Sequence, residues 1–66
     1  MKNWIKVERA KKNWTQEYLA SQIGISRQSI NSIETGKFIP STVLALKMAK
    51  VFGSTVEAIF ILDPED

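Results

Sequence analysis

The chain predicts an all-α domain of five short helices, possessing at its C-terminal end an apolar run that reads either as a short strand or as a subunit contact. Three observations lead there. The stretch from Gln16 to Thr35, QEYLASQIGISRQSINSIET, reads as two short helices joined by a tight turn at Gly24. Elsewhere, apolar residues collect in short runs between hydroxyl caps and glycine stops, the punctuation of helices and not of strands. Finally, 66 residues make one domain, 1–66, which buries only ~60% of its unfolded surface. With no cysteine to staple it, such a domain depends on good packing or on dimerisation.

The first helix runs from about Trp4 to Lys12, with Asn3 as its cap and Ile5 and Val7 as its apolar residues. Glu8 interrupts that stripe. The second opens after Thr15, whose hydroxyl can accept a backbone N–H, and closes before Gly24. It carries Leu19, Ala20 and Ile23, and the small Ala20 suits a steep, close helix crossing. Gly24 supplies the left-handed turn that only glycine adopts cheaply. Ile25 can then enter the core, and Ser26 can cap the third helix, Arg27 to Glu34, which buries Ile30 and Ile33 and stops at Thr35-Gly36. A loop, Lys37-Phe38-Ile39-Pro40, leads to a fourth helix from about Ser41, expected to be largely buried through Leu44, Leu46, Met48, Val51 and Phe52 and to end before Gly53. The fifth is brief. It opens with Ser54-Thr55-Val56-Glu57, an S-x-x-E capping box, and packs Val56, Ile59 and Phe60 on the core. Phe60-Ile61-Leu62 is too short for a helix and is bounded by Asp63-Pro64. It reads as a strand, a subunit contact or a folded-back end, with the subunit contact preferred.

Composition narrows function. Cysteine and histidine are both absent, which removes thiolate metal sites, the commonest zinc ligand and the commonest general base. With no glycine-rich phosphate loop and no clustered carboxylates, an enzyme is the least favoured class, and no cofactor is expected. No continuous apolar run at the N-terminus suggests a signal peptide or membrane span, so a soluble, cytoplasmic protein is expected. The net charge of +2 is unevenly placed: residues 1–37 hold seven Lys or Arg against three acids, and residues 38–66 two Lys against four acids. One end suits a polyanion and the other does not. The exposed side chains of the third helix, Arg27, Gln28, Ser29, Asn31 and Ser32, are rich in hydrogen-bonding groups and nearly free of negative charge, as a helix that reads base edges requires.

With Thr15-Gln16 before it and Glu34-Thr35-Gly36-Lys37 after it, the Gln16–Thr35 segment resembles the helix-turn-helix of the Cro/C1 (XRE) family. Pro40-Ser41 and the run from Leu44 to Gly53 also match, so the resemblance covers residues 5–60. It is closest to the short, stand-alone members without an effector domain. It implies a lambda-repressor-like DNA-binding fold and a transcriptional regulator, usually a repressor, that binds DNA as a homodimer. On this resemblance Gln16 contacts a phosphate, aided by the positive end of its helix. Arg27 and Gln28 face the base pairs, where Arg can pair with guanine and Gln with adenine. Asn31 lies one turn further on the same face, with Ser32 beside it. Ser29 is better placed for the sugar-phosphate backbone, Ser26 stands at the helix start, and Lys37 is expected at phosphate, with Lys6 or Lys11 as further candidates. Arg9 and Glu34 match a family ion pair that ties the first helix to the recognition helix; it is expected to be buried and structural. Phe38 and Trp14 read as packing residues, Trp14 replacing the family's usual aliphatic residue. Trp4 is left open between core and dimer surface.

Two functions from different classes therefore stand. The favoured one is a sequence-specific DNA-binding regulator, a homodimer on an inverted-repeat operator in double-stranded DNA, with no small-molecule effector site. The alternative is a protein-binding helical module of antitoxin or coactivator type. It is disfavoured because the third helix exposes no aromatic residue.

Overall fold

Hydroxyl side chains start four of the five helices in the computed structural model, which describes residues 1–66. The helices are α1 (Ile5–Lys12), α2 (Gln16–Ile23), α3 (Arg27–Glu34), α4 (Thr42–Phe52) and α5 (Val56–Ile59). Thr15 Oγ1 accepts from Tyr18 N at 2.9 Å, Ser26 Oγ from Ser29 N at 3.1 Å, and Ser41 Oγ from Leu44 N at 3.2 Å. Each such cap is worth about 1 kcal/mol. In α5 the cap is Thr55 and not the expected Ser54, so the residue three positions on is Ala58 and no capping box closes. Ser54 is already committed to the end of α4, where its N–H donates to Ala49 O at 2.9 Å.

α1 begins differently. Its flanking residue is Trp4, whose side chain offers no oxygen; Asn3 Oδ1 instead accepts from Ile5 N at 3.2 Å. The helix ends at Lys12, as expected, on Asn13 at φ 57°, a stop residue the sequence reading did not name, made possible because asparagine tolerates the left-handed region.

The core is one cluster of twelve buried side chains, of which Ile5, Leu19, Ile30, Ile33, Met48 and Ile59 are the largest fully buried. Each contributes roughly 1.5–3 kcal/mol by leaving water. α2 packs chiefly on α3, where Ala20 is buried, and also on α4. Trp14 is partly buried against the core as expected, stacked on Phe52 with ring centroids 5.6 Å apart.

Two expectations about α4 and the chain ends need correction. α4 is not largely buried: it buries the stripe Ala45, Met48, Ala49 and Phe52, while Leu46 is 57% and Val43 61% exposed. The stripe follows i, i+3, i+4, i+7 spacing, and the other elements pack on that one side of the helix. Val7 on α1 is likewise exposed, for the same reason. At the C-terminus the strand reading holds: β2 (Phe60–Ile61) pairs antiparallel with β1 (Lys2–Asn3), Lys2 opposite Ile61 and Asn3 opposite Phe60. Phe60 thus sits in the core from a strand, and the partner strand at the N-terminus was not anticipated. The Met1 ammonium closes the ring of chain ends by ion pairs to Asp63 at 3.0 Å and Asp66 at 3.2 Å. No helix is long and apolar enough to cross a membrane.

Candidate nucleic-acid interface

The α2–turn–α3 unit is built by local hydrogen bonds. Ala20 O accepts from both Gly24 N and Ile25 N, at 2.9 and 3.1 Å, with Gly24 at φ 79°. Ile25 then packs on the core edge and Ser26 starts α3. At the far end of α3, Gly36 (φ 77°) turns the chain so that Lys37 N donates to Ser32 O at 2.9 Å and Gly36 N to Ile33 O at 3.1 Å. This pair of bonds is a Schellman motif. Its consequence is positional: Lys37 and Phe38, whose N–H also donates to Ser32 O, are folded back beside α3. Asn3 secures the same end from the other side, its Nδ2 donating to Ile33 O at 2.8 Å.

α3 therefore buries Ile30 and Ile33 and turns outward Arg27, Gln28 and Asn31, all exposed, with Ser29 and Ser32 half-buried at the edge. Ser26, Gln28, Ser29, Ser32, Lys37 and Phe38 together line a shallow groove on this face. The Ser26 hydroxyl is occupied: it caps α3 and lies 2.9 Å from Ser29 Oγ. Arg27 stands outside the groove and enters no ion pair within the chain.

Glu34, the one acid of α3, faces inward. Arg9 Nε donates to Glu34 Oε2 at 2.7 Å and Nη2 to Oε1 at 3.1 Å, while Nη1 donates to Trp14 O at 2.9 Å. The two side chains are only 14% and 6% exposed. The outward face of α3 is thereby left with Arg27 as its only formal charge. Gln16 joins this cluster: its Nε2 donates to Glu34 Oε1 at 3.2 Å and to Asn31 Oδ1 at 3.1 Å. Gln16 and Asn31, which the sequence placed in roles separate from the Arg9–Glu34 pair, form one network with it.

Other candidates fall elsewhere. Lys11 pairs with Glu8 at 3.0 Å, and Lys6 is exposed without an ion pair. Trp4 is half exposed, which removes the core option for it. Phe38 is not the packing residue expected from its place at an element end: it is 50% exposed at the mouth of the α3 groove. A loop aromatic beside a Gly36 stop carries no sequence signal that separates these two fates, because the direction of its side chain depends on the turn.

Comparison with known proteins agrees with this geometry. The helix-turn-helix family profile matches residues 5–59. An HTH-type transcriptional regulator of Methanocaldococcus jannaschii is 52% identical over the full length of both chains. A second from Archaeoglobus fulgidus is 48% identical over all of this chain and 93% of its own, and the regulator YgzD of Bacillus subtilis is 41% identical over the full length of both. Among solved structures, a hypothetical transcription factor, NHTF, from Neisseria superposes with a TM-score of 0.76 at 28% identity, covering 82% of this chain and 61% of that one. The clp gene regulator ClgR of Corynebacterium glutamicum superposes with a TM-score of 0.74 at 25% identity, over 79% of this chain and 55% of its own. The present chain thus spans little more than half of those two longer proteins.

Proposed function

The chain belongs to the helix-turn-helix family of Cro/C1-type transcriptional regulators, and on that premise we propose that it is a repressor, binding an inverted-repeat operator as a homodimer with α3 in the major groove. Its family and relatives are transcriptional regulators and not enzymes. The observation that carries the reading is the finished surface of α3. Two isoleucines anchor it, the single acid is turned inward onto Arg9, and Arg27, Gln28 and the exposed Asn31, whose oxygen takes one bond from Gln16, face outward to meet base edges. Ser29, Ser32 and the Ser26 end of the helix lie at its margin, toward the sugar-phosphate backbone. Lys37 flanks the helix as a phosphate contact, Gln16 offers a phosphate its backbone N–H at the start of α2 because both side-chain hydrogens are taken by Glu34 and Asn31, and Phe38 offers an apolar edge to a thymine methyl group.

The homodimer rests on the opposite character of another face. Ile39, Val43 and Leu46 are 65%, 61% and 57% exposed, and Ile39 and Leu46 border a groove shared with Met1, Pro40, Ala45, Val56 and Phe60. A second copy on this face would remove that apolar surface from water. The body measures 32 × 22 × 21 Å, so two copies side by side suit recognition helices about 34 Å apart, one turn of DNA. Repression follows from such a dimer covering promoter DNA.

Selection of bound sites from a random duplex pool at two salt concentrations tests the proposal. The expected result is an inverted repeat with half-sites about 10 bp apart, bound more weakly at high salt. Recovery of no motif, with binding that simply vanishes as salt rises, would reduce the α3 face to nonspecific charge attraction.

A further inference from the structure

We propose that Asn3 is a positioning residue for DNA binding: its amide ties the N-terminal strand to the end of α3 and so holds the following turn where Lys37 meets a phosphate. The inference rests on the phosphate role given to Lys37 above. An eight-residue helix leaves its last carbonyls without partners of its own, and whatever takes them sets the path of the chain beyond. Here two adjacent carbonyls carry the whole turn. Ser32 O accepts from Lys37 N at 2.9 Å and from Phe38 N at 3.2 Å, and Ile33 O accepts from Gly36 N at 3.1 Å. The other lone pair of Ile33 O is taken by Asn3 Nδ2 at 2.8 Å, a bond between residues thirty positions apart. Every other donor to these two carbonyls comes from the turn itself.

Asparagine suits this task because both ends of its amide are used, each against a group of fixed polarity. Oδ1 accepts from Ile5 N at 3.2 Å while Nδ2 donates to a carbonyl, so the amide has one orientation only. Its backbone is fastened as well: Asn3 stands opposite Phe60 in the two-stranded sheet, and beside it Trp4 N donates to Ile59 O at 2.8 Å. Asn3 thereby joins the C-terminal half of the chain to the turn that follows the recognition helix. Arg9 of α1 holds the next residue, Glu34. The far end of α3 is gripped by two elements from outside the helix-turn-helix. A lysine on a turn free to pivot must be ordered when it meets DNA, which costs affinity; a lysine on a held turn is ordered beforehand.

The experiment measures the salt dependence of binding to a random-sequence duplex for the wild type, Asn3→Ser, Lys37→Ala and the double variant, with the folded fraction followed by circular dichroism. Serine keeps the local bond, since its hydroxyl can accept from the N–H two residues on, but it is too short to reach Ile33. A loss of stability alone would scale affinity by the folded fraction and leave the slope of log K against log salt unchanged. That slope should fall by about one in Lys37→Ala and by most of that amount in Asn3→Ser. The double variant should match Lys37→Ala, because both changes remove the same contact. An unaltered slope in Asn3→Ser beside a lowered one in Lys37→Ala would make Asn3 structural only and overturn the inference. So would a double variant whose loss is the sum of the two singles. An unaltered slope in Lys37→Ala would instead remove the phosphate contact, and with it the reading on which the inference rests. One readout in the free wild type needs no variant: the Asn3 side-chain NH2 should exchange slowly and show a scalar coupling across the hydrogen bond to the Ile33 carbonyl carbon. An Asn3 amide that exchanges like a free one overturns the clamp whatever DNA does.

Discussion

The two halves of the molecule finish their surfaces in opposite ways. From Thr15 to Phe38, α2 and α3 are tied by caps, a Schellman stop and a side-chain network, and apart from Tyr18 and Phe38 what they expose is polar and hydrogen-bonding. From Ile39 onward, α4 buries one stripe, α5 and the strand after it bury Ile59 and Phe60, and Ile39, Val43, Leu46 and Leu62 are left in water. On the proposed reading the α3 face meets DNA, which suits its wettable surface and the inward turn of Glu34, and the apolar face is left for a second copy. The contrast teaches that this small chain assigns its polar and apolar surpluses to different faces, and perturbations can break it on either side.

The largest effect should come from the anchor of the polar half. Arg9→Met strands Glu34 beside α3 and should cost about 3–5 kcal/mol of stability, read by chemical denaturation. A loss under about 1 kcal/mol would place the pair among solvated surface bridges. On the apolar half, Leu46→Glu should leave the folded monomer within about 0.5 kcal/mol of wild type, because the side chain is exposed. The dimer should weaken by about 3 kcal/mol or more, since a two-fold interface loses the burial twice. Unchanged mass in sedimentation would show that this face joins no second copy.

Smaller effects sharpen the division within the DNA face. Gln28→Ala should cost about 1–3 kcal/mol at the selected operator and relax specificity at one position. Equal losses on operator and random DNA would remove it from base recognition. Lys37→Ala should weaken all sequences alike and shrink the salt slope by about one, and an unaltered slope would exclude a phosphate contact.

The smallest effect belongs to the chain ends. The side-chain hydrogen bond to Asp63, then that to Asp66, raises the Met1 ammonium above its ordinary 8.0. The backbone N–H of Asp63, then the Met1 ammonium, lowers Asp66 below its ordinary 3.8. The amine's contribution is complete below pH 8.0 and lost as pH rises through its raised value. The Asp66 contribution is complete above pH 3.8 and lost as pH falls through its lowered value. The backbone resonances of residues 62–66 should therefore hold steady between those limits and move outside them. A tail whose shifts ignore both limits would not be held by these pairs.

What the sequence by itself determined is the part written within a few residues. Thr15, Ser26 and Ser41 start helices and Gly24, Gly36 and Gly53 end them because caps and Schellman bonds reach only three to five positions along the chain. The pairing of Arg9 with Glu34 was legible only through resemblance to a family. Even local signals failed where two elements competed for one residue, as when the end of α4 claimed Ser54 and left α5 to Thr55.

Tertiary structure alone decided what depends on distant partners. Lys2 and Asn3 become a strand only because Phe60 and Ile61 arrive beside them, and two residues are too few to show a period. Leu46 faces water because the other helices pack on the opposite side of α4, although by composition it is as apolar as Met48. Gln16 and Asn31 meet fifteen residues apart in the chain because α2 packs on α3, and only that packing brings a half-buried amide and an exposed one within hydrogen-bond distance. Hydrogen bonds of fixed polarity carry information between positions that no local pattern connects.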